Sequence, residues 1–223
     1  GELENHGVGI RIADVGGVSR RDVIEAASIK RVSRFQGVVL AFNVPILQDA
    51  ETEARTHEIP IFRNNVIYRL IEDYTDWVDT ERDIELKMQI ESLIFPGKIK
   101  VLPGLIFRQS KPAVFGVEIV SGKIQSKYIL ISTNGKRVGE ISQMQDKGET
   151  ISEAEKSMKI AISVRDGVAA RDFNENDTLY VDVPEGHVKA FLSKYISELL
   201  PEDVQTLKEL IEIKRQQNPL WAL

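Results

Sequence analysis

The sequence predicts a mixed class, α/β plus all-β: a small parallel α/β/α domain, a long connecting helix, an antiparallel β-barrel and two C-terminal helices. Three observations lead to this class. Near-continuous apolar strands alternate with helical patterns before residue 64, which is typical of a parallel sheet covered by helices. Apolar residues then recur at helical spacing from Asn64 to Ile94, without an internal Gly or Pro. From Lys98 onward, short strands alternate with polar, glycine-bearing turns, as in a small closed barrel.

The first predicted unit begins with the apolar run Val8 to Val15, "VGIRIADV", which is long enough for a buried strand. Ser19 is a favourable N-cap for the helix that follows. Gly37 to Val44, "GVVLAFNV", predicts a second strand, and the segment "DAETEARTHE" predicts a short helix capped by Asp49. The pattern of strand, helix, strand and helix indicates parallel pairing.

The long helix has one apolar face, to which Leu70, Tyr74 and Val78 contribute, and then becomes almost entirely charged from Asp79 to Lys87. A helix that is polar nearly all round usually crosses solvent between two domains. At about 1.5 Å per residue, such a helix would reach about 45 Å. The alternative is an amphipathic helix that packs on a partner.

Six short strands follow, and the pair Asn134-Gly135 between two apolar runs predicts a two-residue hairpin turn. Two helices end the sequence, and Pro201 suits the first turn of the second one. The predicted domains are residues 1–63 (α/β), 64–97 (connecting helix), 98–183 (barrel) and 184–223 (helical subdomain).

Composition excludes several functional classes. The chain has no cysteine and three widely separated histidines, His6, His57 and His187. Thiol catalysis is therefore excluded, and a zinc site is not expected. No apolar run approaches the ~18 residues of a membrane span. We expect a cytoplasmic protein with no metal and no membrane partner.

The charge is unevenly distributed, which points to a place for nucleic acid. Residues 1–97 hold 11 Lys and Arg against 17 Asp and Glu, whereas residues 98–183 hold 13 against 11. Basic side chains at the loops of a small barrel suit a phosphate backbone. Scattered solubilising charge explains any single one of them equally well. The candidates are Arg108, Lys111, Lys136, Arg137, Arg165 and Arg171.

No catalytic constellation is recognisable, and two other readings remain open. Gly16-Gly17, between an apolar run and a helix, could bind a nucleotide phosphate, although the glycine-rich fingerprints are absent. A tight turn explains the pair more simply. The tail "IKRQQNPLWAL" ends in Trp221, which either folds back or anchors another protein. The chain could therefore also be a protein-interaction module without RNA binding.

Several segments together resemble a known family. "KVLPGLIFRQSKPAVFGVEI", "GKRVGEISQMQ", "KIAISVRD", "DTLYVDVPE" and "IEIKRQQNPLWAL" resemble the C-terminal half, domains III and IV, of translation initiation factor 5B of archaea and eukaryotes, the counterpart of bacterial initiation factor 2. "GVVLAFNV" and "NNVIYRLIEDY" resemble its third domain. The ending in Pro-Leu-Trp looks archaeal. The resemblance implies an elongation-factor-type barrel in residues 98–183.

Two departures accompany the resemblance. The family's third domain has a further strand and helix with no counterpart before Gly1, so this domain is expected to be truncated. The segment "SGKIQSKYIL" lacks the glycine that the family usually has near Lys127.

The resemblance implies an adaptor and not an enzyme. The intact factor is a GTPase that joins the small and large ribosomal subunits, and its GTP and Mg²⁺ belong to a G domain that this sequence lacks. We therefore expect no cofactor and no catalytic residue here. The barrel would bind the acceptor end of initiator methionyl-tRNA through the six basic residues. The C-terminal helices would bind the tail of initiation factor 1A through Leu199, Leu207, Ile211, Lys214, Arg215 and Trp221.

Overall fold

A computed structural model describes residues 9–223. The chain divides into two compact units, Gly1–Gln89 and Ile90–Leu223. Among the helices that the structure describes, none is both long and apolar enough to span a membrane.

The first unit is a small α/β layer. Its elements are α1 (Arg20–Lys30), a 3₁₀ turn (Arg34–Gln36), β1 (Val39–Phe42), α2 (Gln48–His57), β2 (Ile61–Asn64) and α3 (Ile67–Glu91). The two strands pair in parallel, with Val39 opposite Ile61 and Phe42 opposite Asn64. Val23, Ala41 and Ala50 are fully buried in the core between the strands and the first two helices.

The predicted strand Val8–Val15 is wrong where the structure describes it. Residues 9–15 form no strand, and Ile12 and Val15 are 55% and 99% exposed; Val8 lies outside the described residues. A strand needs a hydrogen-bonding partner, and the nearest pairing in the described chain is one parallel bridge between Val18 and Ile46.

The helix starts of this unit follow local rules only in part. Ser19 is the N-cap of α1 as predicted, and its N–H donates to the Asp22 carboxylate at 2.8 Å. Asp49 is not the cap of α2, because the helix begins at Gln48, two residues earlier than this cap implies, and Leu47 occupies the cap position. Asp49 lies in the first turn, where its negative charge complements the helix dipole.

Helix α3 packs on its own unit through the predicted apolar face. Tyr74 meets Phe62 edge-on with the ring centroids 6.0 Å apart, and its hydroxyl donates to the carbonyl of Phe35 at 3.0 Å. The charged stretch also makes contacts in this unit, since Glu81 pairs with Arg34. The helix begins and ends three residues inside the predicted limits of Asn64 and Ile94.

The second unit is a closed antiparallel barrel, which confirms the predicted fold class. Its strands are β3 (Gly97–Arg108), β4 (Ala113–Gln125), β5 (Ile129–Ser132), β6 (Arg137–Asp146), β7 (Glu149–Ile151), β8 (Glu153–Glu155), β9 (Lys159–Arg165) and β10 (Thr178–Val181). Six of them pair in the order β3-β10-β5-β6-β9-β4, and β4 returns to β3. The short strands β7 and β8 pair outside this ring.

The barrel forms because alternate residues are apolar. Along β4, Ala113, Phe115, Val117 and Ile119 are at most 1% exposed and fill the interior. The hairpin at Asn134-Gly135 exists, but its connection spans residues 133–136 and is longer than the predicted two residues. Gly135 supplies the positive φ of +76° that this turn needs.

Two helices, α4 (Glu185–Ser193) and α5 (Pro201–Arg215), follow the barrel, with a 3₁₀ turn (Ile196–Glu198) between them. Pro201 is the first helical residue of α5, as predicted. Helix α5 lies against the barrel wall. Its Glu209 carboxylate accepts hydrogen bonds from the ammonium of Lys98 and the hydroxyl of Tyr180, both at 2.8 Å.

Candidate functional site

One end of the barrel gathers three connections. Ala113, at the start of β4, pairs with Val164 near the end of β9. Glu140, near the start of β6, pairs with Arg165 at the end of β9. This antiparallel register brings the β3–β4 loop, the β5–β6 turn and the β9–β10 connection to the same end. We call it the basic end, because all six predicted basic residues lie on these segments or next to them.

A cleft of about 620 Å³ opens at the basic end. Its walls are the β3–β4 loop and the start of the β9–β10 connection, which are joined by a hydrogen bond of 2.9 Å from the N–H of Ala169 to the carbonyl of Gln109. Three predicted residues, Lys111, Arg165 and Arg171, line the cleft. The other lining residues are Ser110, Pro112, Ser142, Asp166, Gly167 and Val168.

Asp172 organises one wall of this cleft. Its side chain is only 4% exposed, and it accepts hydrogen bonds from Lys136 Nζ at 2.9 Å, Arg171 Nη2 at 2.7 Å and the N–H of Val168 at 3.0 Å. The hydrogen bond from Arg171 is the main cause that holds the pKa of this carboxyl well below its usual range. The same contact raises the pKa of Arg171.

The remaining basic residues are freer. Arg165 lies 3.6 Å from a Glu140 carboxylate oxygen with its side chain 64% exposed, so this pair is weak. Arg108, Lys111 and Arg137 are exposed, and none forms an ion pair with another residue in the described part of the chain. Arg108 and Arg137 lie at the end of β3 and the start of β6, outside the cleft lining.

Two buried aromatic rings pack against each other in the segments that form the basic end. The centroids of the Phe115 and Phe173 rings lie 4.2 Å apart. At Gly139, an added Cβ would lie 2.1 Å from the carbonyl oxygen of Arg165. Strands β6 and β9 therefore approach too closely for any side chain at this position, and this fixes the backbone of Arg165.

Sequence reasoning missed two residues at this end. Phe107 is 63% exposed beside Arg108, because the register of β3 shifts on both sides of Ile106. The apolar run "LIF" gave no signal for this exposure, since a buried strand looks the same in sequence. Asp172 was missed because a carboxylate was not expected to organise a basic site.

The predicted partner-binding residues of the C-terminal helices occupy different environments. Leu207 is completely buried and belongs to the core under α5, so its role as a contact residue stays a prediction. Leu199 and Ile211 are only 8% exposed. Lys214 is paired with Asp182 at 2.6 Å, and Arg215 donates to the carbonyls of Trp221 and Ala222.

This region exposes other apolar residues. Leu192, Ile196 and Leu200 are 37%, 49% and 58% exposed and follow one another at intervals of four residues, and Leu220 and Leu223 are 71% and 72% exposed. We call Leu192, Ile196 and Leu200 the exposed leucine–isoleucine patch. Trp221 is half-buried, with its backbone carbonyl held by Arg215.

The Gly16-Gly17 turn offers little for a phosphate. An added Cβ at Gly17 would lie 3.3 Å from Pro45, so Gly17 serves a close approach, and Gly16 supplies a positive φ of +121° for the turn. The start of α1 already has a carboxylate, that of Asp22, accepting from Ser19. In the described residues, no group of three His, Cys, Asp or Glu could hold a metal ion.

The comparisons with known proteins first define a class. Residues 95–180 match the family described as elongation factor Tu domain 4, which places the barrel among those of translation factors. Residues 2–75 match the family described as translation-initiation factor 2.

Full-length relatives then specify the family. Proteins named probable translation initiation factor IF-2 from Hyperthermus butylicus and Ignicoccus hospitalis are 48% and 45% identical over 99% of this chain. The crystal structure of GDP-bound aIF5B from Aeropyrum pernix is 38% identical, covers 99% of this chain and has a TM-score of 0.62. Over 99% of its length the chain is therefore similar to translation initiation factors of the IF-2/5B type. It spans 36% of the two relatives and 37% of the Aeropyrum chain.

Proposed function

We propose that the basic end of the barrel binds the aminoacylated acceptor end of initiator tRNA, as part of a factor that joins ribosomal subunits. The observation that supports this is the convergence of Lys111, Arg165 and Arg171 on one cleft. A single-stranded RNA end has closely spaced phosphates and unstacked bases. The cleft offers cations for the phosphates, and the exposed ring of Phe107 offers a stacking surface at the same end.

The other functions of such a factor belong to the part of the relatives that this chain does not cover. This chain corresponds to just over a third of its relatives' length. We propose that GTP and Mg²⁺ are bound by the part of the relatives that it does not cover. The small and large ribosomal subunits, in the cytoplasm, are then partners of the whole factor, and this chain supplies its tRNA contact.

The test is a titration of the chain with initiator tRNA, charged with methionine and uncharged, at two salt concentrations. We expect tighter binding of the charged form and a loss of affinity with salt, because phosphate contacts release counterions. Lys111→Glu and Arg165→Glu should each weaken binding about tenfold, which corresponds to about 1.4 kcal/mol.

The matched control is Lys147→Glu. Lys147 is an exposed lysine in the β6–β7 turn, at the far end of β6 from Arg137. An equal loss of affinity in Lys147→Glu would show that only overall charge matters. Arg171 is a poor choice for charge reversal, because its removal would leave the buried Asp172 carboxylate without its main partner.

We propose a second binding function for the exposed leucine–isoleucine patch, as the docking surface for the tail of initiation factor 1A. The supporting observation is that these three side chains are exposed, whereas Leu199, Leu207 and Ile211 are buried. Lys214 and Arg215 already have partners within the chain, so their charges can contribute only at the edge of this docking surface.

Ile196→Asp should weaken binding of a peptide with the sequence of that tail at least about tenfold, since a charge would replace an apolar contact. Val32→Asp, at a site 90% exposed in the other unit, is the control. Isothermal titration calorimetry with both variants measures the difference. Unchanged peptide affinity in Ile196→Asp would contradict the assignment, and Lys111→Glu should leave the peptide affinity unaltered.

A further inference from the structure

Resting on the proposed tRNA-binding function, we infer that Asp172 is a positioning residue of the basic end. It does not face the RNA. It orients Arg171 and Lys136 so that defined donors remain for a phosphate oxygen at the edge of the cleft. The inference is that a buried negative charge strengthens the binding of a polyanion.

The hydrogen bonds of the Arg171 side chain support this role. A guanidinium has five N–H donors. Asp172 takes the Nε donor at 3.1 Å and one Nη2 donor at 2.7 Å, and the carbonyl of Asp166 takes the other Nη2 donor at 3.4 Å. Within residues 9–223, the two Nη1 donors have no acceptor. Arg171 therefore has two free donors on Nη1, whereas its Nε and Nη2 donors are held by Asp172 and Asp166.

Lys136 is held by the same carboxylate. Its ammonium donates to Asp172 at 2.9 Å and to the carbonyl of Arg171 at 3.5 Å, which leaves one of its three donors free. Without Asp172, the two cations would repel each other, and both long side chains would sample many rotamers. Because both side chains are already fixed before the RNA binds, less conformational entropy is lost on binding.

Asp172 is itself fixed. It also accepts the N–H of Val168, a residue of the cleft lining, at 3.0 Å. The carboxylate thus connects the β5–β6 turn, through Lys136, to the β9–β10 connection. Its burial to 4% exposure keeps solvent from competing for the contacts.

Asp172→Asn distinguishes an effect of positioning from an effect of charge, because the two would change the RNA affinity in opposite directions. If Asp172 acted only through its charge, neutralising it would strengthen RNA binding. If it positions Arg171 and Lys136, the same change weakens binding. Glu149→Gln is the matched control: Glu149 is an exposed carboxylate at the start of β7, at the opposite end of β6 from the basic end, and it does not line the cleft.

The RNA probe is a minihelix of the initiator tRNA acceptor stem with its single-stranded 3′ end, charged with methionine. We expect Glu149→Gln to leave its affinity unchanged or raise it up to about twofold. Asp172→Asn should lower it about fivefold or more, which is about 1 kcal/mol. Equal or tighter binding by Asp172→Asn would overturn the inference.

A second readout does not depend on RNA. The ¹⁵N–¹H signal of Arg171 Nε, assigned with Arg171→Lys, should be protected from solvent exchange in the wild type and in Glu149→Gln, and lost in Asp172→Asn. A protected signal in Asp172→Asn would overturn the positioning role. If the wild type shows the signal but does not bind the minihelix, the proposed function fails while the positioning contact stands.

Thermal unfolding of each variant checks that the chain is folded. Should Asp172→Asn fail to fold, Asp172→Ser keeps an oxygen for the Val168 N–H and removes both cation contacts. The same loss of affinity and of the Arg171 signal is then expected, and retention of both would contradict the inference.

Discussion

At the scale of single residues, two backbone positions show how the barrel is held. Gly139 has a φ of +156° and lies against the carbonyl of Arg165. Lys127 has a φ of 74°. A left-handed backbone costs a lysine about 1–2 kcal/mol, and here the N–H of Lys127 donates to the carbonyl of Ile141 at 2.7 Å. Lys127 therefore combines backbone strain with a hydrogen bond to β6, whereas Gly139 is required by a strand contact.

Gly139→Ala should destabilise the chain by about 1–3 kcal/mol, as expected when a group is forced into a packed contact. The reason is the distance of 2.1 Å between the new Cβ and the Arg165 oxygen. The comparison is Gly148→Ala, where φ is +91° but the structure has no atom within 4 Å. Chemical denaturation of both variants measures the difference. Equal losses would mean that backbone strain, and not the strand contact, sets the cost.

At the scale of elements, repetitive patterns were predictable and pairings were not. The six barrel strands follow from alternation along segments such as Ala113–Gln125. The run before Gly16 looked equally apolar and yet forms no strand over residues 9–15, because burial depends on a neighbouring strand that the local sequence does not encode. For the same reason the exposure of Phe107 was hidden, since it arises from register shifts between β3 and β4.

The candidate site, too, could be predicted from the sequence only in part. Loop cations such as Lys111 and Arg165 could be chosen from charge and turn position, and the structure places them in one cleft. The joining of Lys136 and Arg171 through the buried carboxylate of Asp172 could not be predicted, because Asp172 follows Arg171 directly and looks like solvated charge. Leu207 was chosen for its apolar character alone, and helical periodicity without a known partner does not tell a core face from an exposed one.

Helix α5 carries a buried carboxylate near its N-terminus. Asp203, at the third position of the helix, is 7% exposed, and its Oδ1 has no hydrogen-bond partner in the structure. Burial raises the pKa of this carboxyl, although the N–H groups of Leu200 and Gly122 oppose the shift. The folded state therefore holds this proton more tightly than the unfolded chain does.

Stability should consequently depend on pH through Asp203. Because its pKa is higher in the folded state, its contribution is fully present below the unfolded value of about 3.9 and is lost as the pH rises through the folded value. Asp203→Asn lacks this term, so the stability of the wild type relative to the variant should fall as the pH rises from acid toward neutral. Thermal unfolding midpoints of both proteins across this range test it, and a constant difference would contradict it.

At the scale of the whole molecule, each unit has its own core. In the first unit the core lies between α1, α2 and the parallel strands, around Ala41. In the second, the barrel interior is filled by residues such as Phe115, and α5 is bound to the wall by Glu209. All six basic residues and the exposed leucine–isoleucine patch belong to Ile90–Leu223. Both proposed binding functions are thus contained in one unit.

The fragment Ile90–Leu223 should therefore fold alone and retain both activities. Its charge is less acidic than that of the first unit, because residues 1–89 hold 16 Asp and Glu against 11 Lys and Arg, whereas residues 90–223 hold 18 of each. Removing that negative charge should leave the affinity for charged initiator tRNA within about twofold at moderate salt, where exposed charges beyond ~10 Å are screened, and raise it at low salt. Cooperative thermal unfolding checks the fold, and titration against the 223-residue chain measures the affinity. A loss of affinity in a folded fragment would show that the first unit also contacts the tRNA, and the basic end would then be only part of the binding surface.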